Sequence, residues 1–240
     1  MQNDWIYAAL LAWGGGLSIP LGALLFIFLR KRLGRERTFF NHLMTAVGGG
    51  ALLSAVALVL VPDGMENQNQ YVGVLSFALG GVAFTGVDYL LSKSKGAGPQ
   101  IVAMLSDFVP EAIALGAIFL KDQAQGVLLA FIMFIQNLPE GYNAFSEFPP
   151  AKKSKTPYLR TTLIFGAMSF VGPICAWLGT SVLADNETVL GFLMTFSGGG
   201  ITYLIFRDIA PAAKFKNSYV APLGSILGFA IGLLGWALVN

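Results

Sequence analysis

Apolar residues form eight long runs along this chain, separated by short polar linkers. The runs lie near residues 5–29, 42–61, 71–91, 100–120, 124–146, 159–183, 188–206 and 219–239. A hydrocarbon core about 30 Å thick is crossed by about 20 residues of α-helix, and each run approaches or exceeds that length. The pattern predicts an all-α membrane protein with eight transmembrane helices, helix 1 to helix 8.

Composition agrees with this pattern. The chain has 240 residues, of which 55% are hydrophobic and 12% charged, against about 25% charged in an average soluble domain. The linkers are short, so we expect a single transmembrane domain over residues 1–240 in a lipid bilayer, with no nucleic-acid partner. The first run has no basic segment before it and no cleavage signal after it, which favours a retained helix over a signal peptide.

The basic residues predict the topology, because cytoplasmic loops are enriched in Lys and Arg. Fourteen of the fifteen fall on alternate linkers, and only Lys121 falls on the other side. The fourteen are Arg30, Lys31, Arg32, Arg35, Arg37, Lys93, Lys95, Lys152, Lys153, Lys155, Arg160, Arg207, Lys214 and Lys216. We therefore expect a multi-pass protein of the cell membrane with both termini outside.

Two parts of the chain share a pattern. Helix 2 contains Thr45 and three glycines before Pro62, and helix 7 contains Thr195 and three glycines before Pro211, about 150 residues later. The two helices run in opposite directions in the predicted topology, which indicates a 3+2+3 inverted repeat. Such repeats are typical of transporters. The alternative is chance recurrence in a glycine-rich chain.

Helices 4 and 5 carry carboxylates deep in apolar sequence. Asp107 and Glu111 on helix 4 are four residues apart, as are Gln136 and Glu140 on helix 5, so each pair shares a helix face. A carboxylate at mid-membrane costs at least about 2.5–3.5 kcal/mol. Each glutamate also follows a proline, which releases the carbonyl four residues earlier.

Counting from the helix ends places Asp107 level with Glu140, and Glu111 level with Gln136, if the two helices are antiparallel neighbours. The four side chains would then form an oxygen-lined cage near the membrane centre. Without a nearby buried Lys or Arg, three carboxylates require a metal ion or protons. The alternative is structural: prolines that only kink the helices, and protonated glutamates that act as hydrogen-bond donors.

The segment Gln136-Asn137-Leu138-Pro139-Glu140-Gly141 resembles the HNxPEG-type motifs of the ZIP (Zrt/Irt-like) metal transporter family, and is close to the QNxPEG form of its GufA-like branch. The resemblance covers essentially the whole chain. It implies a transition-metal path between helices 2, 4, 5 and 7, with the metal as substrate and no cofactor. The metal-site residues that it implies are Asp107, Glu111, Gln136, Asn137 and Glu140.

The chain departs from the family pattern at four positions. Asp107 replaces a His, Phe108 an Asn and Ala112 a Gly, while Gly172 stands where the branch has a bridging Glu. Two ligands of a second metal are therefore absent, which predicts a mononuclear site. Its all-oxygen ligands favour harder ions, so we expect the preference to shift from Zn²⁺ toward Mn²⁺ or Fe²⁺.

The leading functional hypothesis is a transporter that moves a divalent transition metal toward the cytoplasm. The alternative is a degenerate family member that binds metal or a partner without transport, and a homodimer is possible in either case. A membrane enzyme is disfavoured because the helices contain no catalytic motif such as HExxH. His42, Asp88 and the adjacent Arg207 and Asp208 are interpreted as helix-end or interface residues rather than as site residues.

Overall fold

A computed structural model of the chain describes residues 4–93, 98–148, 158–183, 185–216 and 218–239. Within these residues the chain is helical and has no strand, as predicted. The long helical runs are α1 Asp4–Arg32, α2 Arg37–Glu66, α3 Gln70–Ser92, α4 Gly98–Lys121, α5 Gln123–Glu147, α6 Leu159–Leu183, α7 Glu187–Ala213 and α8 Val220–Val239. Each contains or closely overlaps one of the eight predicted runs.

Seven helices in the described part of the chain are long and apolar enough to cross a membrane. The remaining long run is α5, whose apolar sequence is interrupted by Gln136, Asn137, Glu140 and Asn143. The helix that carries half of the predicted cage therefore has the weakest membrane signal. A multi-pass membrane protein is supported by seven helices, while the predicted count of eight depends on α5.

Three of the long runs contain a π-helical segment. Those in α2 and α7 span Val56–Leu60 and Ile205–Ile209, and a proline, Pro62 or Pro211, comes two residues after the end of each. Proline has no N–H to donate to the carbonyl four residues earlier. In both helices the backbone hydrogen bonding changes from α-helical to π-helical just before the proline. The third segment is Gly179–Leu183, at the end of α6.

Glycines let several neighbouring helices approach until backbone meets backbone. A Cβ on Gly80 of α3 would meet the Phe196 carbonyl of α7, and a Cβ on Gly199 of α7 would meet the Phe77 carbonyl of α3. The same reciprocal relation joins α2 with α8, α1 with α5 and α4 with α6. Small residues at membrane helix contacts commonly serve this purpose.

The two ends of the bundle differ in charge. At the end that we call the basic end, α1 stops at Arg32, and a short 3₁₀ helix connects it to α2. Gly34 in this connection has a φ of +48°, a conformation that favours glycine. Lys93, Lys214 and Lys216 also lie there. The opposite, acidic end carries Asp63, Glu66, Asp122, Asp185 and Glu187 together with Lys121. Lys95, Lys152, Lys153 and Lys155, which also supported the predicted topology, lie outside the described residues.

Candidate metal site on helices α4 and α5

The predicted cage residues lie on facing sides of α4 and α5. Both helices continue through their prolines, Pro110 and Pro139, without interruption. Glu111 and Gln136 have no exposed surface and Asp107 is 4% exposed, while Glu140 is partly buried. All four positions are thus held inside the protein rather than facing lipid.

These residues pair at two levels. The Gln136 side-chain nitrogen Nε2 donates a hydrogen bond of 2.5 Å to Glu111 Oε2. The carboxyl groups of Asp107 and Glu140 lie within hydrogen-bonding reach of each other, and Asp107 Oδ1 also accepts from the Phe108 N–H. The pairs are those that counting from the helix ends predicted.

Asn137 is placed differently from the other motif residues. It is buried, and its Nδ2 donates to the Gly15 carbonyl oxygen of α1 over 3.3 Å. A hydrogen bond of this kind joins α5 to α1. The contacts of Asn137 therefore link it to the helix packing rather than to the two pairs.

Three buried acceptors in the cage have no hydrogen-bond partner among the described residues. They are Glu111 Oε1, Gln136 Oε1 and Glu140 Oε1. Buried polar atoms are nearly always paired, so an unpaired group indicates a missing partner such as an ion or water. Together with the carboxyl group of Asp107, these oxygens form an electronegative group of acceptors that a cation or protons would neutralise.

In the described part of the chain, no three His, Cys, Asp or Glu side chains are grouped so that they could hold a metal ion together. The carboxylates are divided between the two levels, Asp107 with Glu140 and Glu111 with Gln136. Gln136 is not one of these four residue types, but its amide oxygen can also bind a metal ion. A metal bound by both levels would require side-chain rotation, beginning with the Gln136 amide that now donates to Glu111.

A cavity of about 410 Å³ leads from the basic end to the level of the cage formed by Asp107 and Glu140. Its lining includes Asp107 and Glu140, and it also includes residues of α2, α3 and α7, such as Gly48, Asp88 and Ile209. Glu111 and Gln136 do not line it. The cavity therefore reaches one level of the cage and stops before the other.

Several lining residues were missed or set aside in the sequence analysis. Asn143 donates to Thr45 Oγ1 over 2.9 Å, and both line the cavity with Glu147. The positions of Asn143 and Glu147, three and seven residues after Glu140, place all three on one helix face. That spacing is the sequence signal that could have identified them.

Asp88 and Asp208 also line the cavity, although helix-end positions suggested a peripheral role. Asp88 Oδ2 accepts from the Tyr203 hydroxyl at 2.9 Å and pairs with Arg207 Nε at 3.2 Å. Arg207 also approaches Asp208 Oδ1, at 3.6 Å. Of these two contacts of Arg207, the one to its neighbour Asp208 is therefore the longer.

Phe108 lies between two glycines of neighbouring helices. A Cβ built on Gly16 of α1 or on Gly172 of α6 would stand 3.0 Å from Phe108 Cζ. Phe108 itself has no exposed surface. Two of the positions that depart from the family pattern, Phe108 and Gly172, are thus in direct contact.

No protein-family model matches the chain, and no curated protein matches it. The function of this chain is therefore inferred from the residues of the α4–α5 site.

Proposed function

We propose that this chain is a divalent transition-metal transporter of the ZIP type, and that the metal crosses through the α4–α5 cage toward the cytoplasm. The observation that carries the proposal is the group of buried oxygens on Glu111, Gln136 and Glu140 that have no hydrogen-bond partner in the described part of the chain, beside the Asp107–Glu140 contact. Intramembrane carboxylates are costly and mark ion paths. The cavity that ends at Asp107 and Glu140 gives access to them from the basic end, and alternating access requires such an opening on one side at a time.

Support for an inverted repeat comes from the helix pairs. The π segments of α2 and α7 are about 150 residues apart and precede matching prolines. Exchanging helices 1–3 with 6–8, and 4 with 5, converts the α2–α8 glycine contact into α7–α3, and the α1–α5 contact into α6–α4. In this proposal α5 is the eighth transmembrane helix, both termini are outside, and the cavity opens toward the cytoplasm.

Support for a mononuclear site comes from Phe108 and Gly172. The resemblance implied that a second metal would be held at these positions, and the Phe108 ring fills the space beside Gly172. Neither residue offers a metal ligand. One metal on Asp107, Glu111, Gln136 and Glu140 is therefore the proposed stoichiometry, with Zn²⁺, Mn²⁺ or Fe²⁺ as the substrate.

The experiment is metal uptake by the purified chain in liposomes, with Glu111→Gln and Glu140→Gln as test variants. Each removes one charge while keeping the side-chain shape, so uptake should fall to the protein-free level. Glu36→Gln, at an exposed position in the 3₁₀ turn, is the matched control and should transport normally. Near-normal uptake by both test variants would show that the ion path lies elsewhere.

A binding protein without transport is the second candidate. It is favoured by the Gln136–Glu111 hydrogen bond, which occupies one carboxylate oxygen, and by the two departures at Phe108 and Gly172. Metal binding that Glu111→Gln abolishes, measured by calorimetry, together with no uptake in liposomes would establish it. The most exposed helices, α3 and α8, would in either case face lipid or a second copy in a homodimer.

A further inference from the structure

Lys121 joins three helices at the acidic end. It is the last residue of α4, and its Nζ lies 2.8 Å from Glu187 Oε1, on the first residue of α7. The same Nζ donates to Asn67 Oδ1 over 3.0 Å, just beyond the end of α2. One ammonium group thus connects the ends of α2, α4 and α7.

These helices are arranged differently at the two ends of the bundle. Toward the basic end, the cavity has α4 on one side, through Ala103 and Met104, and Leu204 and Asp208 of α7 among its other walls. Toward the acidic end, α4 contacts α7, and Ile118, Leu190 and Met194 belong to one buried apolar cluster. The space beside α4 is therefore open between the cage and the basic end. Between the cage and the acidic end, where Lys121 lies, it is filled by apolar side chains.

The described ion pairs of Arg207, at the basic end, do not connect α4 to α7. Arg207 of α7 pairs with Asp88 of α3 and with Asp208 of its own helix. Both partners belong to the α3–α7 wall. Among the ion pairs between described residues, the one that connects α4 to α7 lies outside the cavity, at the acidic end, between Lys121 and Glu187.

We propose that Lys121, through Glu187 and Asn67, is a latch that keeps the acidic end of the ion path closed in this conformation. The proposal rests on the proposed transport function, because only a transporter needs that end to open. Separating α4 from α7 requires the Lys121 ammonium to leave Glu187, and separating α4 from α2 at this end requires it to leave Asn67.

The test measures opening directly, without metal or flux. Met194, 1% exposed in the apolar cluster, is changed to Cys in a full-length Cys175→Ala chain in detergent, and its labelling by a maleimide is followed. Lys121→Met should raise the labelling rate about threefold, the size of shift that loss of an exposed ion pair allows. Glu187→Gln should act in the same direction, and exchanging the two charges with Lys121→Glu and Glu187→Lys should return the rate toward the parent value.

Lys214→Met, the same substitution at an exposed position of the basic end, is the control and should leave the rate unchanged. A second control uses the chain that retains Cys175, buried in α6. Equal acceleration at Cys175 would mean general loosening and would overturn the latch, as would an unchanged Met194→Cys rate in Lys121→Met and Glu187→Gln.

The two proposals fail separately. Faster labelling at Met194→Cys in a chain that shows no metal uptake would support the latch and refute transport. Metal uptake by a chain whose labelling rate at Met194→Cys is unchanged by substitution of Lys121 and Glu187 would support transport and refute the latch.

Discussion

Phe108 of α4 packs directly against Gly172 of α6. A Cβ on Gly172 would stand 3.0 Å from Phe108 Cζ and 2.6 Å from the Ala12 carbonyl oxygen of α1. The large residue on one helix thus occupies space that the absent side chain on the other leaves free. Three helices meet at this point, next to Asp107.

The first prediction follows from this contact. Gly172→Ala should destabilise the protein by about 1–3 kcal/mol, because the added methyl group overpacks a fixed backbone contact. Gly166→Ala on the same helix is the control, since a Cβ there meets nothing within 4 Å. Thermal unfolding in detergent measures both, and equal melting temperatures for the two variants would contradict the packing described for Phe108.

The second prediction concerns Gln136. Gln136→Glu removes the amide that donates to Glu111 and adds a negative charge, so divalent metal should bind about tenfold more tightly, since affinity rises with ligand charge. Gln70→Glu, exposed at the start of α3, is the matched control. Competition with a fluorescent metal indicator provides the affinities. If Gln136→Glu and Gln70→Glu bind alike, Gln136 does not contact the metal.

The third prediction concerns metal preference. Asp107→His replaces an oxygen ligand with a nitrogen ligand, which suits Zn²⁺ better than Mn²⁺. The ratio of Zn²⁺ to Mn²⁺ affinity should therefore rise relative to the unmodified protein, even though Zn²⁺ outbinds Mn²⁺ at most sites. An unchanged ratio, or one that moves toward Mn²⁺, would remove Asp107 from the ligand set.

The fourth prediction concerns orientation. In a Cys175→Ala background, a cysteine at Lys93 should be protected from an impermeant thiol reagent added outside cells, whereas a cysteine at Asp185 should react. The physical reason is the retention of basic loops in the cytoplasm. Labelling of intact cells against permeabilised cells measures this, and external labelling at Lys93 would reverse or invalidate the topology.

The levels of the cage could be derived before the structure. Helix rise is constant at 1.5 Å per residue, so counting from the helix ends was enough to match Asp107 with Glu140 and Glu111 with Gln136. The same reasoning did not identify Asp88 and Asp208 as cavity residues. Asp88 lies on α3, which directly precedes α4, whereas Asp208 lies on the distant α7, and depth alone does not say which helices share a cavity.

The helical class and the membrane character follow from the linear pattern, because a backbone in hydrocarbon must satisfy its own hydrogen bonds. The direction in which each side chain faces depends on which helices become neighbours. Asn137 illustrates this, since its place in the motif grouped it with the ligands while its amide bonds to α1. Lys121 illustrates it too, because only the packing of α2, α4 and α7 brings its ammonium to Asn67 and Glu187. Short-range sequence determines the length of each helix, the depth of each residue and which residues share a helix face. Contacts between distant segments depend on how closely backbones approach one another, and here glycines set that approach.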